Sequence, residues 1–112
     1  MKSLELSRRL LKEGFEDVLF LSHETARKVL TEKRKEIIET IQNEDVESIR
    51  DLSRRLERKE NVVYKDLGVL FEAGVVDFEE DKNRKRPVLR HKNIFVKPIT
   101  FQKTDDKKQV PA

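Results

Sequence analysis

The stretch from Ser48 to Arg90 limits what this chain can fold into more than any other. Ser48 with Asp51 three residues on makes a capping-box-like helix start. The hydroxyl can accept from a first-turn N–H, and the carboxylate faces the positive helix end. Ile49, Leu52 and Leu56 then recur at helical spacing, with Arg50 and Arg54 opposite and Arg55 nearer the side. The pattern breaks at Glu57-Arg58-Lys59 and reopens near Glu60. From there Val63, Leu67 and Leu70, with Phe71 beside them, form a second apolar stripe, and Gly74 stands where a helix closes with a left-handed residue. Two short helices joined by about three or four residues match helix-turn-helix geometry. Val76 to Glu79 next alternates as a half-buried strand, and Asp81 to Arg86 is polar and turn-like. Pro87 can open an edge strand, where its missing N–H is harmless.

The residues before this stretch supply a third helix. Thr31 can cap it, Glu32 lies in its first turn, and Ile37, Ile38 and Ile41 form its apolar stripe. Lys33, Arg34, Lys35, Glu36 and Glu39 are expected to stay wet. Three helices, Thr31 to Asn43, Ser48 to Leu56 and Glu60 to Ala73, are therefore expected to bury Ile38, Ile41, Ile49, Leu52, Leu56, Val63, Leu67 and Leu70 together, with Val46 docking back into the core. Earlier still, Ser3 to Glu13 reads as a helix that Gly14 can cap, and Val18-Leu19-Phe20-Leu21 as a short buried strand. His23-Glu24-Thr25 reads as a hinge before a short helix over Ala26, Val29 and Leu30. Ile94-Phe95-Val96 is an apolar segment too late for the hairpin; it can pair with Val18 to Leu21 within the chain or across a dimer. The expected fold class is mainly α with a small β-wing (α+β), a three-helix core plus a β-hairpin. Residues 1–24 form an N-terminal helix and strand extension, 25–101 the domain proper and 102–112 a disordered tail.

Composition matters at two points. Charged residues make up 42% of the 112 residues, against roughly 25% in ordinary domains. Yet Leu, Ile, Val and Phe together number 35, enough for a small core that burial against a second copy would help. The net charge of +3 conceals an asymmetry: residues 48–112 carry sixteen basic and eleven acidic groups, and Asp81 to Lys97 seven and one. Positive charge gathered in one half suits a nucleic-acid partner. Cysteine is absent, which removes disulfides and thiolate metal sites. No apolar run approaches a membrane span and no signal-peptide pattern opens the chain, so a cytoplasmic location is expected.

The chemistry lies off the apolar stripes. Arg58, Lys59, Asn61, Val62, Tyr64 and Lys65 cluster at the start of the second helix of the pair, where a groove-entering helix reaches base edges. Asn can pair bidentately with adenine, a small apolar side chain can meet the thymine methyl, and Lys can reach guanine or phosphate. Ser48, Arg50 and Arg54 on the preceding helix are candidates for backbone contacts. Lys82, Asn83, Arg84, Lys85 and Arg86 make a basic hairpin tip suited to phosphates or to a narrow minor groove. Gly68 costs about 1 kcal/mol of helix propensity, and its usual reason is a close backbone approach, here by a neighbouring helix or by DNA. The bland alternatives are a solvated helix face and a hairpin that only maintains solubility. His23 and His91 stand far apart, and no Gly-rich phosphate loop, Ser-His-Asp set or metal-ligand spacing appears, so neither catalysis nor a cofactor is expected.

On these residues the chain resembles small prokaryotic winged helix-turn-helix transcriptional regulators with a broad MarR- or ArsR-like core. The likeness runs from about Thr25 to Phe101. It rests on the segments Arg27 to Arg34, Ser48 to Leu56, Asn61 to Leu67 and Gly74 to Val76, and on the Arg84-Lys85-Arg86-Pro87 wing. The resemblance implies that Asn61 to Lys65 face the groove and that Asp66 holds the fold through a basic partner. Two departures stand out: Gly68 where a longer residue is usual, and Glu60 at the helix entrance. Glu60 can cap that helix or accept from a cytosine amine. The expectation is sequence-specific binding of double-stranded DNA by a homodimer, with Leu4 to Leu11, Val18 to Leu21 and Ile94 to Phe101 as its dimer surface. No small-molecule ligand or membrane partner is evident. The alternative is a protein-interaction module, antitoxin-like or complex-assembling, on the same scaffold.

Overall fold

The protein is described by a computed structural model covering residues 8, 9, 12 and 14–97. Its fold is α+β, in the order β1 (Val18–Leu21), α1 (His23–Val29), α2 (Glu32–Asn43), α3 (Ile49–Leu56), α4 (Glu60–Glu72), β2 (Val76–Asp81), β3 (Arg84–Leu89) and β4 (Asn93–Val96). Arg8, Arg9 and Lys12 are also helical, while Leu4, Leu6, Leu10 and Leu11 of the expected first helix lie outside the described residues, as do Phe101 and the tail. Gly14 adopts φ 95°, in the left-handed region.

Capping sets the helix starts. The Ser48 hydroxyl accepts from the Asp51 N–H at 3.0 Å, and Thr31 accepts from the Arg34 N–H at 3.3 Å, each satisfying a donor that the first turn leaves open. The expected hinge at His23 is instead helical: Ser22 caps α1 by accepting from the Thr25 N–H at 3.0 Å. Between α3 and α4, Glu57 takes a left-handed conformation at φ 57°, and the Arg58 N–H donates back to the Ser53 carbonyl at 3.0 Å. Three residues thus reverse the chain. Lys59 is the N-cap of α4 with no side-chain cap bond, so Glu60 does not cap that helix.

Ile37, Val46, Leu52, Val63, Leu67, Leu70, Val75 and Val76 form the buried core. The expected α3 and α4 stripes are present, but Ile38, Ile41, Ile49 and Leu56 are only partly buried. Ile37 takes the centre from α2, because its neighbour Ile38 is turned about 100° around the helix. Arg34 is the second correction. Instead of staying wet, it donates from Nε to the Asp66 carboxylate at 3.0 Å and from a terminal nitrogen to the Lys28 and Val29 carbonyls. It therefore ties α2 to α4 while closing the end of α1, and it is the basic partner expected for Asp66.

Two small sheets flank the helices. β2 and β3 pair antiparallel, Val76 opposite Leu89 and Asp81 opposite Arg84. The turn is only Lys82-Asn83, at φ 52° and 70°, the left-handed pair that a two-residue hairpin of this twist requires. Arg84, Lys85 and Arg86, expected in the tip, are instead strand residues of β3. β1 and β4 pair parallel within the chain, Leu19 opposite Ile94 and Phe20 opposite Phe95. Parallel strands need a crossover, and here the crossover is the whole of α1 to β3. The Phe20 and Phe95 rings meet edge-on at 5.9 Å. His91 Nδ1 lies 2.8 Å from the Asp17 carboxylate, and the Asn93 amide donates to the Glu16 carbonyl at 2.8 Å. No helix among the described residues is long and apolar enough to cross a membrane.

Candidate nucleic-acid interface

The starts of α3 and α4 and the end of the β2–β3 hairpin open onto one cleft of about 1130 Å³. α3 contributes Ile49, Arg50 and Arg54, α4 contributes Glu60, Asn61 and Tyr64, and the hairpin contributes Asn83, Arg84 and Lys85. Burying Val63, Leu67 and Leu70 forces the remaining faces of α4 outward. Tyr64 is 57% exposed and Val62 43%, and Asn61 and Lys65 are exposed beside them. Within α4, then, the expected groove-facing residues are the free ones.

The cations divide into free and committed. Arg50, Lys59 and Lys65 are exposed, and among the described residues they make no ion pair. Lys85 sits with its ammonium 5.9 Å from the centre of the Phe78 ring, an exposed arrangement that leaves its charge available. Arg54 pairs with Asp51 yet keeps 74% of its side chain in solvent. Arg58, by contrast, is only 11% exposed: it donates to the Lys33 carbonyl and to the Glu36 carboxylate, locking the turn onto α2. Ser48 is buried and used as a cap. Arg58 and Ser48 are thus structural in position.

Asp51 organises the entry to α3. Its carboxylate accepts from the Glu47 N–H at 3.0 Å and from Arg55 Nε at 3.0 Å, and it also pairs with Arg54. The Glu47 N–H bond, helped by Arg55 and Arg54, holds its pKa below the ordinary 3.8 despite burial acting the other way. Arg55 in turn reaches Glu44 at 2.8 Å and the Asp45 carbonyl at 3.1 Å.

Sequence reading missed the acids that face the hairpin. Arg84 lies 3.8 Å from Glu47 and Arg86 3.2 Å from Asp45, both on the loop between α2 and α3. A signal was present: residues two apart on a strand share a face, so Arg84 and Arg86 match Asp45 and Glu47 at the same spacing. Lys85, on the alternate face, stands over the Phe78 ring instead. Arg86 also lines a second cleft, of about 740 Å³, with Leu19, Ile38 and Ile41, so the hairpin cations do not act as one block. Gly68 has open space around a notional Cβ, so among the described residues no neighbouring helix accounts for the glycine. Among the described residues no group of three or more His, Cys, Asp or Glu could hold a metal ion.

A protein-family model, HVO_A0114, matches residues 29–96, from the end of α1 through β4 and more than half of the chain. No curated protein matches.

Proposed function

The chain belongs to the HVO_A0114 family, and for this member we propose sequence-specific binding of double-stranded DNA by a winged helix-turn-helix. In this reading α3, the Glu57 turn and α4 are the helix-turn-helix, β2–β3 is the wing, and the protein regulates transcription as a homodimer. The observation that carries it is the shared cleft: Glu60, Asn61 and Tyr64 at the start of α4 and Asn83 to Lys85 of the hairpin, some twenty residues apart in sequence, line it together with Arg50 and Arg54 of α3. Asn61 and Val62 face base edges, Lys59 and Lys65 reach guanine or phosphate, and Arg50, Arg54 and Lys85 take phosphates. A dimer would read two half-sites about one helical turn apart.

Selection from a random duplex library, followed by binding at several salt concentrations, tests this. A recovered two-fold motif, bound with affinity that falls steeply as salt rises, is the expected result. Absence of enrichment together with salt-independent retention would falsify the reading. Because β1 and β4 pair with each other within the chain, Val18 to Leu21 and Ile94 to Val96 would contribute to the proposed dimer surface through their outer edges and the exposed Val96, beside Leu4 to Leu11. A monomer in sedimentation at micromolar concentration removes the dimer.

The second reading is a protein-interaction module. It is favoured by Glu47 and Glu60 at the rim of the cleft and by exposed Val62 and Tyr64 on α4. Indifference to duplex DNA, with retention on a folded partner, would select it.

A further inference from the structure

Resting on the DNA-binding reading, we propose that the flank of α4 facing the hairpin is a track for one sugar–phosphate strand of the duplex, and that Gly68 is its point of closest approach. Among the described residues nothing calls for glycine at this position. It lies in mid-helix between Glu60 and Glu72, and beyond its own helix backbone a Cβ built on it meets no described atom within 4 Å. Glycine is the worst helix former after proline, so the fold alone would be served better by almost any other residue. The missing side chain instead leaves the helix backbone bare on the outer surface.

What borders that bare patch has the chemistry of a nucleic-acid backbone site. Tyr64, four residues earlier, and Phe71, three later, lie on the same flank and are both exposed. Phe71 packs on Phe78 of β2 with ring centres 5.6 Å apart, so the aromatic floor continues from the helix onto the hairpin. Lys85 stands over Phe78 from β3, and Tyr64 shares the cleft with Asn83 and Arg84. A deoxyribose can lie on the aromatic floor beside Gly68, while Lys85, the Tyr64 hydroxyl and the Asn83 amide supply charge and donors for the flanking phosphates. Filling the gap would push the strand off those donors.

Gly68→Ala and Gly68→Gln separate this from any effect on the fold. Both residues favour helix, so the thermal midpoint should rise, by about 4–8 °C for Ala. Affinity for duplex should fall at least about fivefold for Ala and further for Gln. The loss should be the same on a random duplex as on a selected one, because a backbone contact carries no sequence information. If wild type binds duplex and both variants bind equally well, the track is wrong while the DNA-binding reading stands. If the variants lose affinity only by dissociating a dimer, seen in sedimentation, the glycine serves a second copy and the proposal also fails. If wild type shows no salt-dependent duplex binding, the underlying reading fails first.

Discussion

Arg34 and Asp66 show how much of the scaffold rests on single groups. They are 19% and 17% exposed and 3.0 Å apart, and Arg34 also satisfies two carbonyls at the end of α1. Removing the carboxylate with Asp66→Ala leaves a part-buried guanidinium with one partner fewer. That should cost about 2 kcal/mol, read as a lower thermal midpoint with DNA contacts otherwise untouched. Asp51 gives a second residue-scale prediction. Because folding lowers its pKa from the ordinary 3.8, its contribution is fully present above that value and is lost as pH falls through the folded one. Asp51→Asn should lower stability at neutral pH, yet flatten the decline in unfolding midpoint as pH is taken below about 4. An unchanged acid profile would mean that the Glu47 N–H bond contributes nothing to folding.

At the scale of the elements, the hairpin differs from the basic tip that its composition suggested. A two-residue turn leaves Arg84 to Arg86 extended, and alternation then sends their charges to different places. Arg84 and Arg86 meet Glu47 and Asp45, whereas Lys85 stands over the face of Phe78. Under the proposed function, Lys85→Ala should weaken binding to every duplex and reduce the slope of log affinity against log salt by about 1. Arg86→Ala should change that slope less, since its charge is already balanced and points toward the other cleft. Equal effects from the two variants would put the wing in a different orientation on the duplex. The helices, by contrast, were legible almost to the residue. Ser48 and Thr31 announce their starts by chemistry that operates within one turn, and local signals survive whatever the rest of the chain does. The start of α1 is set by the Ser22 cap, whose signal is weakened by the polar His23-Glu24-Thr25 that follows it, so this turn resembles a hinge in sequence.

Across the whole molecule the core is small, and neighbouring isoleucines play unequal parts. Ile37 is fully buried and Ile38 only partly so. Ile37→Val should therefore cost about 1 kcal/mol, and Ile38→Val a few tenths by the same measure of buried surface, both readable in denaturant midpoints. Reversal of that order would place the α2 stripe one residue out. β1 and β4 close the fold from opposite ends of the described chain, so the strand read as part of an N-terminal extension packs Leu19 against the same core as the helices.

Sequence by itself determined the three long helices, the reversal between α3 and α4, the strand pair of the hairpin, and which residues of α4 stay outside. All of these follow from interactions between residues a few positions apart. Tertiary structure alone decided that β1 and β4 pair in parallel, that Arg58 is locked onto α2, that Arg84 and Arg86 are met by acids, and that α4 and the hairpin share a cleft. Those outcomes depend on which distant segments the collapse of one shared core brings within reach of each other. The spacing of side chains along a chain tells which residues share a face, as with Arg84 and Arg86, but not which distant face they will meet.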